Sequence, residues 1–214
     1  MPLANLESIT ERIRETFEAK NTARDAALQR SRELIRHCAN AVRAAHRNDF
    51  AAASALLEAA HATARDMVAD LVDYPDLYNA GYTQDAMKEF AEANITVALV
   101  QQQELPEPEE LGVEYAAYLN GLGEAAGELR RYALDALRRG DIATAEAMLM
   151  NMDEIYDTLV TIDFPDALTS GLRRTTDMVR GVLERTRGEL TVAARHQRLE
   201  EALKDFESRF GRER

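Results

Sequence analysis

Apolar residues recur every three to four positions along most of the chain, which is the spacing of amphipathic α-helices. Alternating apolar and polar residues, the signature of a half-buried strand, never continue beyond a few positions. The pattern predicts six helical stretches, at 6–46, 50–72, 83–103, 113–139, 141–160 and 165–210. With the first stretch bent near Asn21 and the last interrupted near Gly188, we expect an all-α bundle of about seven helices.

Residues typical of helix ends stand between these stretches. Asp49, Thr83 and Asp141 each precede a predicted helix, and their side chains can accept a hydrogen bond from the first turn. Gly140 follows two arginines and fits the position after a helix C-terminus. We expect one helical domain over residues 1–214, in which 211–214 form a frayed tail.

The composition favours the same all-α fold and also indicates the cellular compartment of the protein. Glycine and proline number only 10 and 5 in 214 residues, and aromatic residues make up 6%. The single cysteine, Cys38, permits no intrachain disulfide. No window approaches the roughly 18 apolar residues that a membrane span needs, and the N-terminal segment lacks the apolar stretch of a secretory signal. We therefore expect a cytoplasmic protein with no membrane association.

The formal net charge is −12, and only three of the 26 cationic side chains are lysine. Such a charge argues against indiscriminate binding of polyanions. An acidic, lysine-poor surface fits a salt-adapted prokaryote or archaeon, in which high salt screens the repulsion. A GC-rich genome would explain the arginine bias equally well. If salt is high, local patches matter more than the net charge.

Two glutamates on the predicted helix 83–103 form the first candidate site. Glu89 and Glu92 lie three residues apart, opposite an apolar arc that contains Met87, Phe90, Ala91, Asn94, Val97 and Ala98. Acids at this spacing are common on solvated helix faces. The same pair could also form half of a metal site, and the helix by itself leaves both interpretations open.

A second acidic pair, Glu124 and Glu128, lies on the predicted helix 113–139. Gly121, Gly123 and Gly127 accompany this pair, and each costs on the order of 1 kcal/mol relative to alanine inside a helix. Glycines at such positions indicate that something approaches the helix closely. That neighbour is either another helix or a ligand, and the pattern allows both.

Four arginines of the first helix, Arg32, Arg36, Arg43 and Arg47, fall within roughly 60° of one another on a helical wheel. A row of guanidinium groups at this spacing could follow a phosphate backbone. It could equally be a salt-bridged solvent or subunit face. The four histidines have no mutual metal-ligand spacing, and Cys38 fits a small core position.

Several segments together resemble the translin/TRAX family. They are RDAALQRSRELIRHCANAVRAAHRND at 24–49, MKEFAEANI at 87–95, LGEAAGELRRYALDALRRGD at 122–141 and MDEIYD at 152–157. The segments occur in the family's order and at reasonable spacing, over a range from about Arg24 to Gly188. The most distinctive part is GEL followed by the arginines and RGD.

The resemblance implies a seven-helix subunit that assembles into a closed, hollow oligomer and binds single-stranded nucleic acid. In TRAX proteins, acidic residues hold Mg²⁺ or Mn²⁺ in an endoribonuclease site. Three of the corresponding positions here are Glu89, Glu92 and Glu128. Glu124 stands where better-known TRAX proteins carry aspartate, so that its side chain is one methylene longer.

From this resemblance we expect a Mg²⁺- or Mn²⁺-dependent endoribonuclease for single-stranded RNA, with single-stranded DNA as a further ligand. Glu89, Glu92, Glu124 and Glu128 are the expected catalytic and metal-binding residues. Arg130 and Arg131, beside the acids, join the four arginines of the first helix as expected nucleic-acid contacts. We expect a homo-oligomer, with a translin-like partner chain as a further option. The alternative is a translin-like binding protein that cleaves nothing.

Overall fold

The computed structural model describes residues 5–210, which contain nine α-helices and no β-strand. This confirms the predicted all-α class, and the six predicted stretches correspond to the six long helices. Three additional helices of one turn each lie in the connections. In chain order the nine are α1 (Leu6–His46), α2 (Phe50–Asp70), α3 (Pro75–Tyr78), α4 (Gly81–Val100), α5 (Pro108–Leu111), α6 (Tyr115–Arg138), α7 (Ile142–Leu159), α8 (Asp166–Thr169) and α9 (Leu172–Phe210).

Most predicted helix ends are confirmed. The Asp49 carboxylate accepts a hydrogen bond of 3.1 Å from the Ala52 N–H, and the Asp141 carboxylate accepts one of 3.0 Å from the Thr144 N–H. Gly140 has φ +79°, a backbone conformation that glycine adopts without strain. The predicted frayed tail, 211–214, lies outside the described residues.

The prediction of Thr83 as an N-cap is wrong. Helix α4 begins at Gly81, and Thr83 is a buried residue of its first turn. The Thr83 hydroxyl donates a hydrogen bond of 2.8 Å to the carbonyl of Leu77 in α3. The short helix α3 therefore provides the hydroxyl with a partner, so that the side chain does not turn back to cap α4.

The predicted interruption near Gly188 is absent, since α9 is continuous through this residue, and α1 is a single helix through Asn21, where the bend is predicted. The chain instead breaks at Ser170 and Gly171, with φ values of +50° and +85°. These two residues separate α8 from α9, so the predicted stretch 165–210 consists of two helices.

The chain forms two compact units, of which the first contains the described residues 5–94 and 106–118. Its frame is an antiparallel hairpin of α1 and α2, in which Arg30 of α1 pairs with Asp70 of α2 at 2.7 Å. Next to this ion pair in the same interface, the buried Ser31 hydroxyl lies 3.5 Å from the sulfur of Met67. The buried face of α1 is lined by small and apolar residues, namely Ala27, Leu34, Cys38, Ala41 and Ala45.

The second unit contains residues 95–105 and 119–210. Within it α6 and α9 run in the same direction. Thr175, near the start of α9, donates a hydrogen bond of 2.6 Å to Asn120, whereas Thr186 and Glu189 further along bind Arg130. Helix α7 packs against α9 as well, and Asp153 forms an ion pair with Arg187. Within residues 5–210, no helix has the length and apolar character needed to cross a membrane.

Candidate metal centre and nucleic-acid interface

Helix α4, which carries Glu89 and Glu92, is buried on the arc that the sequence predicts. Its predicted apolar residues are all buried, namely Met87, Phe90, Ala91, Asn94, Val97 and Ala98. Ala93, Ile95 and Thr96 are buried as well. Glu89 and Glu92 are each half-buried. The side of α4 that bears the acids is therefore not a freely solvated face.

A polar link from α2 fixes the turn of α4 that follows the acid pair. The Asn94 side-chain oxygen lies 3.1 Å from His61 Nε2, and the Asn94 amide donates a hydrogen bond of 2.8 Å to the Phe90 carbonyl. The His61 ring also stands edge-on to the Phe90 ring, with centroids 4.7 Å apart. His61 and Phe90 thus hold in place the helix turn between Glu89 and Asn94.

Cys38 lies on the buried face of α1 and is only 1% exposed, which confirms its predicted core position. Burial raises the pKa of the Cys38 thiol well above its ordinary value, and the negative charges of Glu89 and Glu92 raise this pKa further. The two carboxylates therefore make the electrostatic potential negative at this side of α1, as a cation site requires.

The second acidic pair, Glu124 and Glu128, lies one turn apart on α6, and both side chains are half-buried. Two nearby glycines differ in their surroundings. A Cβ atom at Gly123 would overlap Thr175 Cγ2 and lie 3.3 Å from Leu159 Cδ1, so helix packing explains this glycine. A Cβ at Gly127 would have nothing within 4 Å. The predicted close approach of another helix therefore holds for Gly123 and does not hold for Gly127.

Glu89 and Glu92 of the first unit offer oxygens at metal-binding spacing. One carboxylate oxygen of Glu89 lies within 4.8 Å of one of Glu92. The assignment of Glu124 and Glu128, in the second unit, to the same ion stays a prediction from the family resemblance. A set made only of carboxylate oxygens suits a hard divalent cation such as Mg²⁺ or Mn²⁺.

All four arginines of the predicted stripe on α1 are exposed. Arg36 is 3.3 Å from the Glu33 carboxylate, and Arg43 donates a hydrogen bond of 2.6 Å to Asn40. The guanidinium groups of Arg32 and Arg47 have no ion-pair or hydrogen-bond partner within residues 5–210. The stripe is therefore accessible, and at least half of its charge is uncompensated.

The arginine stripe lies on a different face of α1 from the one that faces Glu89 and Glu92. At 100° per residue, the centre of the stripe lies roughly 150° around the helix from Cys38, whose thiol senses Glu89 and Glu92. The stripe consequently points away from the side of α1 that faces these two acids. The sequence gives no indication of this separation.

Arg130 and Arg131 are adjacent in sequence and have different surroundings. Arg130 is largely covered and forms an ion pair with Glu189 at 2.9 Å, and it also donates a hydrogen bond of 2.9 Å to the Thr186 hydroxyl. Arg131 is exposed, with Nη1 3.9 Å from a carboxylate oxygen of Glu128. Of the two, only Arg131 presents its charge to solvent beside an acid of the predicted site.

Sequence reasoning missed two supporting residues, His61 and Asn94. Asn94 falls on the apolar arc of α4, and a polar residue in that setting indicates a buried hydrogen-bond partner. The partner, His61, is 33 positions away on α2, and nothing in the sequence connects the two.

Known proteins of similar sequence and structure identify the chain's relatives. No protein-family model matches it. An uncharacterized protein of Methanocaldococcus jannaschii is 29% identical over 188 residues, which are 86% of this chain and 82% of that protein. The apo-NeC3PO crystal structure has a TM-score of 0.74 over 90% of this chain and 99% of its own, and its 24% identity supports a shared fold.

Two structures of AfC3PO are more similar to this chain, one of the protein alone and one of its complex with duplex RNA. Both are 34% identical to this chain and cover 86% of it and 96% of their own length, with TM-scores of 0.80 and 0.79 respectively. Identity at this level over most of both chains confirms the resemblance found in the sequence. The chain belongs to the translin/C3PO family.

Proposed function

We propose that this protein binds RNA and cleaves it as a divalent-metal-dependent endoribonuclease. The observation that carries the proposal is the half-buried pair Glu89 and Glu92, which offers two carboxylate oxygens within 4.8 Å of each other. Family membership supports the RNA part of the proposal, because AfC3PO, at 34% identity, forms a complex with duplex RNA.

The donor set fits the proposed ion. Mg²⁺ and Mn²⁺ take oxygen ligands, and Mg²⁺ keeps several of its waters, so that two or three carboxylates are sufficient. Glu89, Glu92 and Glu124 would hold the ion. When bound, the cation would neutralise phosphoryl oxygens and lower the pKa of a water molecule.

The remaining residues would position these ligands and the substrate. The hydrogen bond between His61 and Asn94 fixes the helix turn next to Glu92, which limits how far that carboxylate can move. Glu128 lies one turn beyond Glu124 on α6 and would act as a base or as a ligand to a water. Arg131, exposed beside Glu128, would bind a phosphate of the RNA chain.

The arginine stripe would bind RNA outside the catalytic group. Arg32, Arg36, Arg43 and Arg47 lie on the exposed face of α1, turned away from Cys38 and the acid pair. The family resemblance implies a hollow homo-oligomer. In such an oligomer this stripe would contact RNA that is bound at a neighbouring subunit or at an entrance to the hollow interior. Single-stranded RNA is the proposed substrate, and a translin-like partner chain is not required for cleavage.

The test is cleavage of labelled RNA by the purified protein, with single-stranded and duplex substrates, in Mg²⁺, Mn²⁺ or EDTA. We expect cleavage of the single strand in either metal and none in EDTA. Glu89→Gln and Glu124→Gln should each reduce the rate by about 100-fold or more, because each removes a charged ligand. Glu58→Gln, at an exposed site on α2, is the matched control and should cleave normally. A loss of tenfold or less in Glu124→Gln would contradict the metal assignment.

A second candidate function is RNA binding without cleavage. The observation that favours it is Glu124, a longer side chain where better-known TRAX proteins have aspartate. The two candidates differ in one measurement. A binder would retain its RNA affinity in EDTA and leave the RNA intact in Mn²⁺, whereas the nuclease would shorten it.

A further inference from the structure

The first unit carries a surface on which tyrosine rings and carboxylates lie side by side. Tyr115, at the start of α6, is 66% exposed, and its hydroxyl donates a hydrogen bond of 2.6 Å to Glu109. The Tyr78 hydroxyl of α3 lies 3.5 Å from a carboxylate oxygen of Glu114. We call this surface the tyrosine–glutamate patch, and its members are Tyr78, Tyr115, Tyr118, Glu107, Glu109 and Glu114.

The patch is one continuous surface, because two of its carboxylates each act on two of its tyrosines. Burial raises the pKa of Tyr78, and the negative charge of Glu114 raises it further. The hydrogen bond and the charge of Glu109 raise the pKa of Tyr115, to which Glu114 also contributes. Burial raises the pKa of Tyr118 as well, and the charge of Glu109 adds to this effect.

Hydrogen bonds hold the rings of the patch in place. The Tyr118 hydroxyl donates a hydrogen bond of 2.9 Å to the Pro106 carbonyl, and the Gln84 amide donates one of 2.9 Å to the Tyr78 carbonyl. Tyr78 and Tyr118 are half-buried, whereas Tyr115 presents most of its ring to solvent. A ligand that stacks on Tyr115 therefore meets a side chain whose hydroxyl end is already fixed, which lowers the entropy cost of binding.

The charge of the patch indicates the charge of its ligand. The sequence contains no lysine, arginine or histidine between residues 89 and 129. Glu107, Glu109 and Glu114 are exposed, and none of them takes part in an ion pair within residues 5–210. Such a surface repels phosphate groups and attracts cations.

The arrangement of the patch favours an organic cation over a metal ion. No three of its carboxylates offer oxygens within 4.8 Å of one another. A guanidinium group is planar and weakly hydrated, stacks on aromatic faces and donates paired hydrogen bonds to carboxylates. The ammonium group of lysine is more strongly hydrated, so that it gains less from an exposed ring.

We propose that the tyrosine–glutamate patch binds an arginine-bearing segment of a partner protein. One guanidinium group stacks on the Tyr115 ring, and others pair with Glu109 and Glu114. Arginine-rich segments of this kind occur in proteins that bind RNA. The proposal does not depend on the nuclease activity, because no member of the patch belongs to the proposed metal site or to the arginine stripe.

Fluorescence anisotropy of labelled hexa-arginine and hexa-lysine peptides, titrated with the full chain, tests the proposal. We expect tighter binding of hexa-arginine. Glu109→Gln/Glu114→Gln should weaken it by about tenfold, because two exposed ion pairs are lost. Glu58→Gln/Glu154→Gln removes the same charge from other exposed sites and is the matched control, with an expected loss of about twofold or less.

The role of the ring is tested at Tyr115. Tyr115→Leu should weaken hexa-arginine binding by about two- to fivefold and reduce the preference over hexa-lysine, because the stacking surface is lost. Tyr115→Phe keeps the ring and should bind hexa-arginine like the wild type. Circular dichroism should show unchanged helix content in both variants, since this side chain is exposed.

Three results would overturn the proposal. Equal losses in the two double variants would show that the peptides respond only to net charge. Equal affinity for hexa-arginine and hexa-lysine would exclude a site that recognises guanidinium groups. If Tyr115→Leu weakens the binding of single-stranded RNA and leaves peptide binding unchanged, the ring stacks on a nucleobase instead.

Discussion

Arg130 on α6 forms a two-point ion pair with Glu189 on α9, in which Nη1–Oε2 and Nη2–Oε1 are both 2.9 Å. Two parallel hydrogen bonds between a guanidinium and a carboxylate fix both groups. A third hydrogen bond, from Nη1 to the Thr186 hydroxyl, also attaches the Arg130 side chain to α9 within the second unit. The residue expected from the sequence to contact RNA is thus engaged in holding two helices together.

We predict that Arg130→Ala lowers the free energy of unfolding by about 1–2 kcal/mol. The expected loss is small because Glu189 is nearly half exposed and solvent weakens the ion pair. Arg131→Ala should change stability by less than about 0.5 kcal/mol, as expected for an exposed surface site, and should weaken RNA binding instead. Urea unfolding and an RNA titration of both variants check this. Equal effects of the two substitutions on stability would contradict it.

Gly123 and Gly127 provide a second matched pair on α6. Gly123→Ala should destabilise the protein by about 1–3 kcal/mol, because the added methyl group overlaps Thr175. Thr175 cannot easily move aside, since its hydroxyl is bound to Asn120 at 2.6 Å. Gly127→Ala meets open space and should stabilise the helix by up to about 1 kcal/mol.

Urea unfolding compares these two alanine variants directly. A destabilised Gly127→Ala would show that something occupies the space beside this residue. If Gly127→Ala is stable and yet cleaves RNA more slowly, the RNA substrate occupies that space.

The exposed arginines of α1 should contribute to RNA affinity and leave folding unchanged. We predict that Arg32→Ala/Arg47→Ala weakens the binding of single-stranded RNA and reduces the magnitude of the salt slope by about 1.4, or 0.7 for each lost phosphate contact. The double variant Arg173→Ala/Arg174→Ala, at exposed sites at the start of α9, removes the same charge and is the control. If both double variants lose affinity equally, the effect is one of net charge and the stripe has no specific role.

Metal binding should be measurable without any cleavage assay. Mn²⁺ should raise the melting temperature of the wild-type protein, because a ligand that binds only the folded state stabilises it. The rise should be lost in Glu92→Gln and retained in Glu58→Gln, and EDTA should reverse it. An equal rise in Glu92→Gln would place the ion elsewhere.

Cys38 should make stability depend on pH in the alkaline range. Its pKa is raised in the folded protein by burial and then by Glu89 and Glu92, so the folded thiol keeps its proton where the unfolded thiol loses it. Its contribution to stability is complete below the unfolded pKa of about 8.5 and declines above it, by about 1.4 kcal/mol per pH unit. The decline should be smaller in Cys38→Ala, as measured by urea unfolding at pH 8, 9 and 10. Parallel curves for the two proteins would contradict the assigned cause.

Several features of the fold follow from local sequence and were predicted from it. The helix starts at Asp49 and Asp141 depend on a carboxylate within reach of the next turn, and the stop at Gly140 depends on a backbone conformation that suits glycine. These interactions span a few residues, so the sequence displays them directly. Thr83 shows the limit, because its hydroxyl found a partner in α3 that no local pattern reveals.

For the candidate site, the sequence by itself determined which residues carry charge, which faces of α4 and α6 they occupy, and the family to which the chain belongs. Only the tertiary structure decided which of these charges are available. It engages Arg130 with Glu189, leaves Arg131 exposed, packs Gly123 against Thr175 and leaves Gly127 open. The physical reason is that helical periodicity specifies the direction of a side chain around its own axis, whereas its partners come from helices that lie tens of residues away in the chain.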